Sequence, residues 1–227
     1  MDMTPVKTSE LLKPLNNWER KNAPPELWAR GDRNLLKDGL RVSVVGSRNM
    51  SKEGASRARA FSKALVDRGI TVVSGLAAGI DTIAHETAIE SGGRTIAVLG
   101  TPINQAYPKT NAGLLDRIAS DHLAVSQFPE GYPFRPHNFP QRNRTMALIS
   151  DATVIVEASE KSGTKHQGWE AIRLGRLVFI LDNVAKNPDL TWPKEMIEYG
   201  AQVIRRENLD QSLENLPSLT SEEELAF

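Results

Sequence analysis

Phe139-Pro140-Gln141-Arg142-Asn143-Arg144 sets two arginines either side of an asparagine, with a ring and a proline just upstream. Guanidinium forks suit phosphate oxygens, and a nearby ring suits a stacked base. The apolar run Met146 to Ile149 follows at once. If that run is buried, the arginines stand at the mouth of a helix that faces a ligand. As solvated residues of a first helical turn, both would oppose the helix dipole, so the bland alternative lacks a local reason for them. On this reading Arg142 and Arg144 take phosphates, and replacing both with alanine weakens binding without unfolding the chain.

The hexapeptide gains weight from three other segments. Gly46-Ser47-Arg48 closes the β-branched run Arg41-Val42-Ser43-Val44-Val45. It offers free backbone N–H groups, a hydroxyl and a guanidinium, an anion cup at a helix start. Ser74-Gly75-Leu76-Ala77-Ala78-Gly79-Ile80-Asp81 is a loop of small residues that lets a ligand or a helix approach the backbone. Asp81 is expected to cap the following helix, and His85 one turn on is expected to be structural. No Asp-His-Ser spacing supports a triad, and no catalytic residue is assigned. Ser162-Gly163-Thr164-Lys165 follows another apolar run and supplies N–H groups, two hydroxyls and a lysine. Four phosphate-friendly segments at strand ends are explained together by a polyanion lying along one rim.

The elements that must carry these segments are legible as apolar runs and helical spacings. Strands are expected at 41–46, 70–73, 95–99, 123–126, 152–157 and 177–181, with helices at 53–67, 82–90, 112–119, 140–149 and 162–174. Ser51 is placed to cap the first of these helices. Strand and helix alternate, which implies right-handed crossovers and an α/β fold: a doubly wound, mostly parallel sheet with helices on both faces. Ligands on such sheets bind outside the carboxyl ends of the strands, where these loops lie. The pattern G-x-G-x-x-G is missing after the first strand, which disfavours a nicotinamide or flavin enzyme. Residues 1–23 read as a short arm or helix, 24–210 as the Rossmann-like domain, and 211–227 as an acidic, frayed tail.

Composition sets the bounds. The chain has 227 residues, 40% of them hydrophobic, enough for one domain with a full core. Lys+Arg and Asp+Glu both number 28, so any basic groove must be local. With no cysteine, disulfides and thiolate metal sites are excluded. No metal-ligand cluster or cofactor motif is visible, so none is expected. No segment is long and apolar enough to span a bilayer, and a soluble cytoplasmic protein is the default.

Taken in order, Val44-Val45-Gly46-Ser47-Arg48, Ser74 to Asp81 with Ala84-His85, Thr95 to Gly100, Tyr107-Pro108, Asn111, Phe139 to Arg144, Val156-Glu157-Ala158 and Ser162-Gly163 resemble the DNA-processing protein A family (DprA, also called Smf). The resemblance runs from about Pro24 to Leu181. It implies an extended Rossmann-like domain that binds single-stranded DNA, protects incoming strands and loads a RecA-type recombinase during transformation, commonly as a homodimer. It also implies a DNA pocket at Gly46, Ser47, Arg48, Phe139, Arg142, Asn143, Arg144, Ser162 and Gly163, with Lys165 added. The chain departs from the family where Thr164-Lys165-His166-Gln167 replaces a small apolar segment and where Pro102 replaces a glycine; its first 23 residues read as too short for the small helical domain many members carry in front, and the stretch after Leu181 as too short and acidic for a winged helix. The second reading is a nucleotide sensor or nucleotide-cleaving enzyme of the same superfamily, in a defence or stress system. Its Gly-Gly-x-Gly-Thr-x-x-Glu loop is matched only faintly by Gly163-Thr164 and Glu170. A third is a self-associating scaffold.

Overall fold

The computed structural model describes residues 5–12 and 15–216. Its strands are β1 (Val6–Lys7), β2 (Glu26–Gly31), β3 (Arg41–Gly46), β4 (Thr71–Ser74), β5 (Thr95–Leu99), β6 (Leu123–Ser126), β7 (Ala152–Glu157), β8 (Leu177–Leu181) and β9 (Gln202–Ile204). They form a single sheet in the order β1-β2-β6-β5-β4-β3-β7-β8-β9. Every pairing from β6 to β9 is parallel, and β1 and β2 close one edge antiparallel. The expected doubly wound sheet is therefore present, with an antiparallel edge.

The central strands are buried on both sides, so their residues divide by parity. Val45, Val73, Ile96, Val98, Val125, Ile155 and Ile180 face one core. That core is covered by α4 (Asn138–Ile149), α5 (Thr164–Arg173) and α6 (Trp192–Glu198). Val42, Val44, Val72, Val154, Val156 and Phe179 face the other, under α1 (Lys52–Val66) and α2 (Ile80–Glu90). Ala97, Leu99 and Ala124 continue that second face beneath α3 (Ala112–Asp121).

Most element boundaries fall within two residues of the sequence reading. Ser51 caps α1 as expected, its side chain accepting from Gly54 N. Two expectations change. Asp81 lies inside the first turn of α2, whose N-cap is Gly79, and its carboxylate turns back onto the preceding loop instead of capping the helix. The helix that carries Arg142 and Arg144 starts at Asn138, so Pro140 sits inside its first turn and the arginines sit past it. The first 23 residues include β1 and a capping-boxed helix, Asn17–Asn22, and Leu11 is buried in the first core. Helix Leu209–Glu214 covers the start of the expected tail, and residues 217–227 lie outside the described residues. No helix among the described residues is long and apolar enough to cross a membrane.

Candidate nucleic-acid interface

From β3 the chain winds outward through β4, β5 and β6, then returns to the other side of β3 with β7, β8 and β9. The reversal falls between β3 and β7, and crevices at such switch points are where doubly wound sheets bind ligands. An open cleft of about 620 Å³ lies there. Its walls are the loop after β3, the first two turns of α4, and the loop after β7 that leads into α5.

The register of β3 against β7 shifts between Val45 and Gly46. Such a bulge re-aims the backbone that follows. Ser47 N donates to Glu157 O at 2.8 Å, so the two loops leave the sheet tied together. A Cβ on Gly46 would collide with Ile80, which is the packing reason for that glycine. The Glu157 carboxylate accepts from Ser51 N at 2.9 Å and from its hydroxyl. A carboxylate thus already occupies the start of α1, the place where dinucleotide-binding sheets hold a pyrophosphate.

Arg142 is the surprise. Its side chain is buried, and Nη1 donates to Gly75 O at 2.6 Å and to Val98 O at 2.8 Å. Nε donates to Asn143 Oδ1 at 3.0 Å, and Asn143 Nδ2 donates to Gly163 O at 3.5 Å. The chain of contacts joins the carboxyl ends of β4 and β5 to the loop after β7. Asp81 Oδ2 accepts from Gly75 N and Ala77 N at 3.1 and 3.4 Å. Burial pushes the Asp81 carboxyl up and the Arg142 guanidinium down, and the attraction between the two opposes both shifts. Gly75 is where Arg142 approaches the backbone: a Cβ there would collide with the guanidinium. At Gly75 the small-residue loop after β4 makes room for a protein side chain, while Ala77 and Asp81 of the same segment line the cleft. Ser74 is fully buried and donates to Val44 O at 2.7 Å. Ser74 and Gly75 therefore lie beneath the cleft, outside its lining.

Arg48 stands at the other wall, exposed, with its guanidinium carbon 5.3 Å from the Phe139 ring centroid. Arg142 lies 5.9 Å from the same centroid, so one ring is flanked by two cations. Phe139 also packs against Tyr107 at 5.5 Å and Phe134 at 5.7 Å. Tyr107 and Phe134 are 42% and 47% exposed, which leaves ring surface open beside the cleft.

Of the expected residues, Gly46, Ser47, Arg48, Phe139, Arg142, Asn143, Ser162, Gly163 and Thr164 line the cleft. Arg144 and Lys165 do not. Arg144 Nε donates to Glu170 at 3.0 Å, and Arg173 holds the other oxygen of that carboxylate at 2.8 Å. Lys165 Nζ donates to Glu160 O at 3.1 Å. Ser162 Oγ accepts from Thr164 N at 3.1 Å and donates to Thr164 Oγ1 at 2.8 Å, an internal turn that presents the start of α5 to the cleft. The lining also includes Lys161, His166 and Asn49, which the sequence reading missed. Lys161 carried a signal, a cation one residue before the Ser162-Gly163 loop. The exposed Phe134 ring carried none, because nothing in a proline-rich stretch says which ring faces outward. Chemically, the cleft offers cations, N–H groups and flat rings, and it suits a phosphodiester chain with unstacked bases.

Comparison with known proteins identifies the family. The chain is 34% identical over 181 residues to the DNA processing protein DprA of Bacillus subtilis, covering 80% of this chain and 61% of that one. It is 37% identical over 194 residues to protein Smf of Escherichia coli, covering 85% of this chain and 51% of that one. It therefore spans between half and two thirds of the length of these relatives. The crystal structure of DNA processing protein A from Streptococcus pneumoniae superposes with a TM-score of 0.81 at 32% identity, over 96% of this chain and 75% of that one. DNA processing protein A from Helicobacter pylori, described for its single-stranded DNA binding mode, gives a TM-score of 0.79 at 24% identity, over 94% and 97%; at that identity the likeness shows the fold. The sequence model for DNA recombination-mediator protein A matches residues 7–217, and the chain belongs to that family.

Proposed function

We propose that this chain holds single-stranded DNA across the switch-point cleft, as part of DNA processing that hands the strand to a RecA-type recombinase. The observation that carries the proposal is the flanking of Phe139 by Arg48 and Arg142 at the mouth of the cleft. Phosphates would meet Arg48, Lys161 and the N–H group of Gly163, while the Tyr107-Phe134-Phe139 group would take bases. Arg142 acts mainly by holding the floor of the site. Arg144 is assigned no phosphate, since it is committed to Glu170. We assign holding rather than cleavage, because the carboxylates nearest the cleft, Asp81 and Glu157, are engaged by backbone N–H groups. Self-association is supported by Ile197 and Tyr199, exposed large apolar side chains near one edge of the sheet.

The test is the binding of a labelled oligo-dT, the matching duplex and free mononucleotides at two salt concentrations. The expected outcome is tight, salt-sensitive binding of the single strand, weaker duplex binding, and no release of free base or ribose phosphate. Tight mononucleotide binding with turnover would favour the nucleotide-handling alternative instead.

A further inference from the structure

A second cleft of about 310 Å³ opens off the first. The two share Ser47, Asn49 and Ser159 in their linings, so a chain lying in the first passes the mouth of the second. Their chemistry differs. The first is lined by Arg48, Arg142 and Lys161, which outnumber its one acidic group, Asp81. The second has no lysine or arginine in its lining, and its charged group is the carboxylate of Glu157. A phosphate entering it would meet a negative group with no cation, whereas a neutral ring would pay no such cost.

What lines the second cleft instead is carboxamide. The helix Asp182–Ala185 follows β8 directly; Asn183 lies in it and Asn187 just past its C-cap, Lys186. Asn183 Nδ2 donates to Val156 O at 3.2 Å, which fixes that amide and leaves Oδ1 as an acceptor. Asn187 Oδ1 accepts from Asp189 N at 3.0 Å, which leaves Nδ2 as a donor. Val184, buried, and Ala158 supply apolar wall. An amide acceptor and an amide donor lining one cleft with an apolar wall offer the complement of a nucleobase's hydrogen-bonding edge.

Resting on the strand-binding reading above, we infer that this carboxamide cleft is a base subsite, which takes one unstacked base of the bound strand edge-on through Asn183 and Asn187. Aromatic stacking around Phe139 is indifferent to base edges. The carboxamide cleft is not, so it gives one position along the strand a hydrogen-bonded contact that the others lack.

The experiment is a positional scan of a short oligo-dT in which 2,4-difluorotoluene replaces thymine at one position at a time. The analogue keeps the ring shape and loses the hydrogen bonds. In the full-length protein, one position is expected to lose roughly tenfold in affinity, a loss of about 1.4 kcal/mol, while the others change little. Asn187→Ala should weaken binding of the all-thymine strand by a similar factor and erase the positional effect. Asn183→Ala should do the same, and Asn187→Ala, which disturbs no contact to a strand of the sheet, guards against local unfolding. Equal binding across the whole scan, or a positional effect that survives Asn187→Ala, overturns the base subsite and leaves strand binding standing. Failure of the wild-type protein to bind any of the strands removes the strand-binding reading itself, and the subsite with it.

Discussion

Arg142 shows how far a residue's role can depart from what its type suggests. Two carbonyls and an asparagine accept from it, and the Asp81 carboxylate lies near enough to feel its charge, so removing it leaves the buried Gly75 and Val98 carbonyls without this donor. Arg142→Ala is expected to cost about 1–3 kcal/mol of unfolding free energy in urea titration for each buried carbonyl left without a donor, which runs against the expectation that this arginine can be removed with the fold intact. Arg144→Ala, which breaks a half-exposed ion pair, should cost no more than about 1 kcal/mol and leave strand affinity unchanged in the same preparations. The sequence showed that a cation belongs at both positions. It could not show which one turns inward, because that depends on the space left at Gly75, a residue 67 positions away. His85 gives a residue-scale prediction in pH. It is buried on α2, with Nδ1 2.7 Å from Thr95 Oγ1, and burial lowers its pKa from 6.5 to about 3. The native state therefore keeps the imidazole neutral while the unfolded chain protonates it below about 6.5. Stability contributed by this group is complete above that pH and is lost as pH falls, by about 1.4 kcal/mol per unit until the native ring titrates. Urea unfolding at pH 7, 6 and 5 should show that slope, and His85→Gln should flatten it. An unchanged slope in the variant would show that the ring is not the titrating group.

At the scale of elements, the site is made by where loops leave the sheet. β3 and β7 are adjacent and parallel, so the loops after them emerge side by side, with the register shift at Val45/Gly46 where they leave the sheet and α4 forming the facing wall of the cleft. The helix presents Phe139 and Arg142 because its first turn begins at Asn138. Gly75 is the hinge of this arrangement. Gly75→Ala is expected to push the Arg142 guanidinium off its two carbonyls, costing about 1–3 kcal/mol as overpacking in a filled interior, and to lower strand affinity by displacing the floor of the cleft. Wild-type stability and affinity in that variant would contradict the role given to the glycine. The central strands were legible as short apolar runs, and the major helices by their helical spacing of apolar residues, three of them followed by a glycine (Gly69, Gly92 and Gly175). β1, β2 and β9 were not: Val6–Lys7 and Gln202–Ile204 are too short for any period to register, and Glu26–Gly31 carries charges at two of its six positions. α6 was missed too: Trp192–Glu198 mixes its apolar residues with lysine and glutamate over barely two turns. The second cleft escaped for a related reason. Asn183 and Asn187 read as an ordinary polar turn, and only the fold brings them beside Ser47 and Asn49.

For the whole molecule, charge balance decides what kind of binding to expect. Lys+Arg and Asp+Glu are equal at 28 each, so long-range attraction to a polyanion is weak and affinity must come from the cleft itself. Counterion release then counts the phosphates actually contacted, with a slope of log affinity against log salt of about −0.7 per phosphate for a single strand. Arg48 is the cation best placed to report this. It is exposed, faces the cleft, and lies over Phe139, and its loss leaves the core untouched. The direct measurement is therefore the salt dependence of oligo-dT affinity for the wild-type protein and Arg48→Ala, with melting temperatures recorded alongside. A cleft that binds the phosphate backbone predicts an unchanged melting temperature, weaker binding, and a slope reduced in magnitude by about 0.7. Equal affinity and equal slope for the two proteins would contradict it.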